Sequence, residues 1–198
     1  MVDVVLAGSK AQHRAALLAA RRAVPDQVRE TEAQALSSHL AAVARPGDTV
    51  CAYVPAGAEP GSPELLDRLR ELGARVLLPV TRPGDPEALL WGEYEPGKLA
   101  AGRFGLLEPA GPRLDETAVA QACVVLVPAL AVDRRGVRLG RGGGYYDRSL
   151  GLCAPGARLV AVVRDEEVLA ELPSEAHDIR MTHALTPHRG LVALGDGY

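Results

Sequence analysis

The chain has 198 residues, 47% of them hydrophobic and 24% charged, enough for one domain with a full-sized core and too little for two large ones. A formal net charge of -3 and a pI near 6.0 exclude a protein built chiefly to hold a nucleic-acid backbone or an anionic membrane, since both demand a strongly basic balance. Cys51, Cys123 and Cys153 form no CxxC pair and no Cys/His cluster, so neither a structural zinc site nor a disulfide framework is expected. The absence of a basic leader or a long apolar run predicts a cytoplasmic protein.

In chain order, residues 10–23 and 27–44 carry Ala/Leu-rich helical spacing with Pro25 between them, and Ser9 with Gln12 makes a capping box for the first. "DTVCAYVP" (48–55) reads as a strand, "SPELLDRLRELG" (62–73) as a helix between Pro63 and Gly73, and "ARVLLPV" (74–80) as a strand, together a βαβ unit. "EALLWGEY" (87–94) reads as a weaker strand between Gly/Pro-rich segments. "QACVVLVPAL" (121–130) and "ARLVAVV" (157–163) read as apolar central strands. The alternation predicts one α/β domain over residues 1–198, with a mostly parallel sheet covered on both faces.

After the strand at 121–130 and a polar turn over 131–137 comes "RLGRGGGYYDR" (138–148), four glycines between arginines and ahead of a helical pattern. Glycines let a backbone approach an anion closely, a following helix N-terminus favours negative charge, and Arg138 and Arg141 add fixed positive charge, so the loop predicts a phosphate cradle. It is not a P-loop, which needs GxxxxGK[ST]. A dinucleotide fingerprint, with Asp165 as its later acid, fits poorly because Tyr145 stands at the third glycine. A ligand-free surface turn is the bland alternative. Asp147 suits a divalent metal against phosphate oxygens, or else caps the helix or pairs with Arg148. Tyr145 and Tyr146 offer flat faces and hydroxyls, or core packing. Lys10, Arg14 and Arg21 lie along one stripe of the first helix, where like charges repel unless an anion sits on them; a solvated face is the alternative. Lys10 and Lys98 are the two lysines among the 22 basic residues.

"VPALAVDRRGVRLGRGGGYYDR" (127–148) resembles the signature of the 5-formyltetrahydrofolate cyclo-ligase family, also called 5,10-methenyltetrahydrofolate synthetases. The resemblance continues in the basic helix with Lys10 and Arg14, in "AGAEPGSPELL" (56–66), "FGLLEP" (104–109) and "HDIRMTHALTP" (177–187). Ala129 stands where the family usually has glycine, Val132 where it usually has an aromatic, and Thr182 where many members have an acid. The first two are expected to change packing alone, and the third bears on an outer metal contact.

The resemblance implies a three-layer α/β fold akin to sugar-phosphate isomerases and CoA transferases. It also implies a monomeric enzyme that uses ATP and Mg2+ to close 5-formyltetrahydrofolate to 5,10-methenyltetrahydrofolate, with no nucleic-acid or membrane partner. Lys10 and Arg14 would hold ATP phosphates, with Arg138, Leu139, Gly140, Arg141, Gly142, Gly143, Gly144, Tyr145 and Tyr146 as the cradle. Arg141, Tyr146 and Asp147 would be catalytic, and Asp147 and Asp178 would serve the metal. Ala56, Glu59, Phe104 and Tyr146 would contact the folate, Glu59 at the pterin and Tyr146 near the formyl group, with Trp91 a weaker pocket wall; Phe104 and Trp91 could equally be core anchors. His177, beside Asp178, is the one histidine of interest. A sugar-phosphate isomerase and a non-catalytic nucleotide- or folate-binding module are the competing readings.

Overall fold

The computed structural model describes residues 9–175 and 178–195, so His177 lies outside the described residues. Helix α1 (Lys10–Ala23) starts at the expected capping box: the Gln12 N–H donates to the Ser9 hydroxyl at 3.4 Å, and the Gln12 side chain accepts from the Ser9 N–H at 2.8 Å. After Pro25 the second helical segment divides into α2 (Asp26–Ser38) and α3 (Leu40–Val43). The break falls at His39, whose Nε2 lies 3.0 Å from the Pro187 carbonyl and ties the bend to the C-terminal segment. Strand β1 (Thr49–Cys51), α4 (Glu64–Glu71) and β2 (Arg75–Val80) form the predicted βαβ unit, with β1 and β2 parallel.

Beyond it lie β3 (Leu90–Glu93), a hairpin of β4 (Leu99–Ala101) and β5 (Leu107–Pro109), and the short β6 (Arg113–Leu114). Strand β7 (Val124–Pro128) follows, then β8 (Ala131–Asp133), β9 (Arg138–Leu139), α5 (Tyr145–Leu150), β10 (Arg158–Val162), β11 (Val168–Leu169), β12 (His183–Thr186) and β13 (Gly190–Ala193). Among the described residues the main sheet runs β13-β12-β10-β7-β1-β2-β3-β6. Pairing is parallel from β12 through β2 and antiparallel at both margins.

Side-chain alternation along the central strands feeds two cores. Val50, Val76, Val124 and Val160 join Leu36, Leu40 and Leu66 of the helices on one face, whereas Cys51, Leu77, Val125 and Ala161 join Val119 and Leu150 on the other. The sheet is therefore buried on both sides, which is why β7 and β10 are almost wholly apolar.

Residues 131–137 are not the polar turn that their composition predicts. Ala131–Asp133 is a buried strand in a second sheet, β11-β8-β9, and only the segment after it turns. Asp133 makes this possible: its carboxylate, 0% exposed, accepts from the N–H groups of Arg135, Val137 and Leu172 at 2.8–3.0 Å. A charge that would otherwise forbid burial instead organises the turn. The helix α1 packs over this small sheet through Leu17. Among the described residues no helix is long and apolar enough to cross a membrane.

Candidate active site

Strands β7, β1 and β2 are parallel, and the segments that follow them leave the sheet at its carboxyl edge, where ligands collect in open α/β folds. A cavity of about 460 Å3 lies there, walled by those segments, α1, the glycine loop before α5 and the β4–β5 hairpin. Lys10, Arg14, Glu59, Phe104, residues 138–147 and Asp178 all line it. Ala56 does not line it, but its N–H donates to Glu59 Oε2 at 3.0 Å and holds that carboxylate.

Arginine packs where the glycines leave room. A Cβ on Gly140 would stand 2.5 Å from the Arg138 guanidinium, one on Gly142 3.5 Å from that of Arg14, and one on Gly144 2.3 Å from that of Arg148. Gly142 and Gly144 also adopt φ of +95° and +69°, which disfavour any side chain. The Arg14 Nε donates to the Gly140 carbonyl at 2.9 Å, binding α1 to the loop. Lys10 donates to Glu175 at 2.8 Å and Asp178 at 3.3 Å. The hydrogen bond to Glu175 outweighs the opposing effect of burial and raises its pKa, so the ammonium stays charged.

Arg21 does not extend the predicted anion stripe. It is 2% exposed and held bidentately by Glu167 at 2.7 Å to each oxygen, with a further bond of 2.6 Å to the Ala129 carbonyl. Its charge is spent inside, pinning the chain just after β7 to the first helix.

Asp147 lies on the first turn of α5 as expected, but its partner is Arg138, which donates to it at 2.5 Å, and not Arg148, which bonds to the Gly144 carbonyl. Gly144 occupies the N-cap position, so Asp147 is not the cap. Among the described residues no three His, Cys, Asp or Glu side chains form a metal cage. Asp147 and Asp178 nonetheless both line the cavity beside its cations, and two carboxylates there could hold a divalent ion together with phosphate oxygens. Thr182 is remote from this end: its hydroxyl bonds to the Leu159 N–H and carbonyl, at the amino end of β10.

At the other end, Glu59 pairs with Arg141 at 3.1 Å, bridging the β1–α4 segment and the glycine loop. The hydroxyls of Tyr146 and Tyr53 are both buried with no hydrogen-bond partner among the described residues. Burial, reinforced by the Glu59 carboxylate, pushes both phenols far above their ordinary pKa, so each remains a protonated donor. The Arg138 guanidinium lies 5.9 Å from the centre of the Tyr146 ring. Phe104 is 68% exposed at the rim, with φ of +59°, and meets the Tyr145 ring edge-on at 6.3 Å. It is not a core anchor. Trp91 is the reverse: it is 1% exposed in the core between β2 and β6 and does not line the cavity. Tyr53 and Thr81 also line the cavity and were not singled out by sequence, because no local pattern marks them, and Glu108 was quoted within "FGLLEP" without a role. Asp165, the acid of the dinucleotide reading, is occupied by Thr186, His188 and Arg189 and is absent from the cavity wall.

Comparison with known proteins agrees with this architecture. The chain is 59% identical over 189 residues to the 5-formyltetrahydrofolate cyclo-ligase of Mycolicibacterium smegmatis, covering 94% of this chain and 97% of the relative. It is 32% identical to the enzyme of the same name from Escherichia coli K12, over 71% of this chain and 79% of that one. The fold matches the Aquifex aeolicus 5,10-methenyltetrahydrofolate synthetase with a TM-score of 0.77 at 26% identity, over 96% and 94% of the two chains. A family model described as the 5-formyltetrahydrofolate cyclo-ligase family matches residues 7–187. The chain thus belongs to the 5-formyltetrahydrofolate cyclo-ligase family and is an enzyme of the ligase type.

Proposed function

We propose that this enzyme closes 5-formyltetrahydrofolate to 5,10-methenyltetrahydrofolate at the expense of ATP, releasing ADP and phosphate. The observation that carries the reading is one cavity lined by a cation-rich glycine loop, by apolar side chains, by a fixed carboxylate and by two tyrosines whose buried hydroxyls have no hydrogen-bond partner among the described residues. A small sugar phosphate would leave the wall of Pro79, Leu89 and Phe104 without a partner, which disfavours the isomerase reading.

Lys10, Arg14 and Arg138 hold the ATP phosphates with the N–H groups of the glycine loop. Asp147 and Asp178 would hold magnesium, which supplies charge neutralisation at the phosphates. Glu59 accepts the amino-pyrimidine edge of the pterin, and the protonated Tyr146 hydroxyl donates to the formyl group. A formyl amide is a weak electrophile and its oxygen a poor leaving group. Transfer of the terminal phosphoryl group to that oxygen corrects both defects, and the neighbouring aniline nitrogen then attacks the carbon as phosphate departs. Protein catalysis of such a transfer is mainly positioning and electrostatic stabilisation. When the pterin engages Glu59, Arg141 loses its partner and is released toward the phosphates, so one ligand prepares the site for the other.

The enzyme acts as a monomer in the cytoplasm on small molecules alone, a reading supported by the slightly acidic balance and the three free thiols. Mixing the protein with ATP, magnesium and 5-formyltetrahydrofolate should produce the near-ultraviolet chromophore of the methenyl product together with one ADP per turnover. ADP without chromophore, or no change at all, overturns the assignment.

A further inference from the structure

Glu108, on β5, lines the cavity from the hairpin side. Its Oε1 accepts the Thr81 N–H at 3.0 Å and the Thr81 hydroxyl at 2.7 Å. The carboxylate also lies against Gly102 on the facing arm of the hairpin, where a Cβ would come within 2.4 Å of its Cδ. Held from β2 and from the hairpin at once, it has little freedom to turn away. Its second oxygen takes part in no hydrogen bond or ion pair among the described residues.

A cavity-lining carboxylate with one oxygen tethered and the other unpartnered among the described residues is a preorganised acceptor. What it meets follows from its surroundings. Phe104, Leu106 and Leu107 on the same hairpin, with Leu89, give this part of the cavity wall an apolar surface suited to an aryl ring. In the cyclisation proposed above, the one reactive N–H attached to an aryl ring is that of the aniline nitrogen.

We propose that Glu108 accepts the hydrogen bond of that aniline N–H, aims the nitrogen lone pair at the formyl carbon, and takes the proton as the ring closes. The inference rests on the cyclisation reading. The lone pair forms the new C–N bond to the phosphorylated formyl carbon, and the N–H bond breaks with its proton passing to the free Glu108 oxygen. The C–O bond then breaks, inorganic phosphate leaving with the oxygen. No further reactant is needed. Glu108 therefore serves the second chemical step and not the first.

A rapid-quench experiment with ATP, magnesium and 5-formyltetrahydrofolate, following ADP and the methenyl chromophore in the same sample, separates the two steps. Glu108→Ala should form ADP in the first turnover within about threefold of the wild-type rate while the chromophore lags about 100-fold, the scale of a lost general base. Glu108→Gln keeps the shape and an acceptor oxygen but cannot take a proton, and should lag by a similar factor, about 100-fold. Chromophore that keeps pace with ADP in both variants, or ADP formation that falls in step with it, overturns the role of Glu108 alone. Wild-type enzyme that forms neither product overturns the cyclisation reading and this role with it.

Discussion

Gly142 and Gly144 hold φ of +95° and +69°, which disfavour a side chain, and at Gly140 and Gly144 a Cβ would also meet the Arg138 or Arg148 guanidinium. The Arg14 and Arg148 guanidinium groups donate to the Gly140 and Gly144 carbonyls, and Asp147 pairs with Arg138. That pairing sharpens the test of the carboxylate. If Asp147 serves magnesium, Asp147→Asn keeps shape and hydrogen bonding but removes the charge, so half-maximal turnover should require at least about tenfold more magnesium, and saturated turnover should fall about 100-fold. The melting temperature should stay within about 2 °C, because the Asp147 side chain is 43% exposed and asparagine still offers Arg138 an acceptor oxygen. Magnesium-titrated turnover and thermal melting on one sample measure both. Unchanged magnesium dependence removes Asp147 from the metal site.

At the scale of elements, Asp165 ties down the turn that joins β12 and β13. Its carboxylate receives the Thr186 hydroxyl at 2.8 Å, the His188 N–H at 3.0 Å and the Arg189 N–H at 3.2 Å. Burial alone would raise its pKa, but these hydrogen bonds prevail and hold it well below the ordinary carboxylate range. A depressed folded-state pKa contributes stability that is complete above the unfolded value of about 3.9 and is lost as pH falls toward the folded one. Asp165→Asn should therefore cost about 2 kcal/mol at pH 7, and the gap should narrow below about pH 4. Urea melts at pH 7 and pH 3 check this; a gap of equal size at both contradicts the clasp.

The same scale shows what could be read from the chain. Segments 75–80, 124–128 and 158–162 were legible because central strands buried on both faces are apolar throughout. The marginal strands β6, β12 and β13 and the β4–β5 hairpin were not, because short edge strands take their identity from pairing partners distant in sequence. Asp133 hid β8 for a related reason: its burial depends on three N–H groups that only the folded chain supplies. In the cavity, the glycine–arginine loop announced itself by composition. Arg21 misled because helical spacing gives the face of a residue but not the Glu167 that meets it. Glu108 was passed over within "FGLLEP", since its importance comes from Thr81, 27 residues away.

Over the whole molecule, the parallel sheet brings a phosphate end and an apolar end to one carboxyl edge, and the account requires that a phosphoryl group pass between them to the formyl oxygen. The test is to place oxygen-18 in the formyl group of 5-formyltetrahydrofolate, run a turnover with unlabelled ATP in unlabelled water, and determine the mass of the phosphate released. Direct phosphorylation predicts one oxygen-18 atom in each phosphate formed. Phosphate carrying only unlabelled oxygen, with the methenyl product formed at the normal rate, would contradict it.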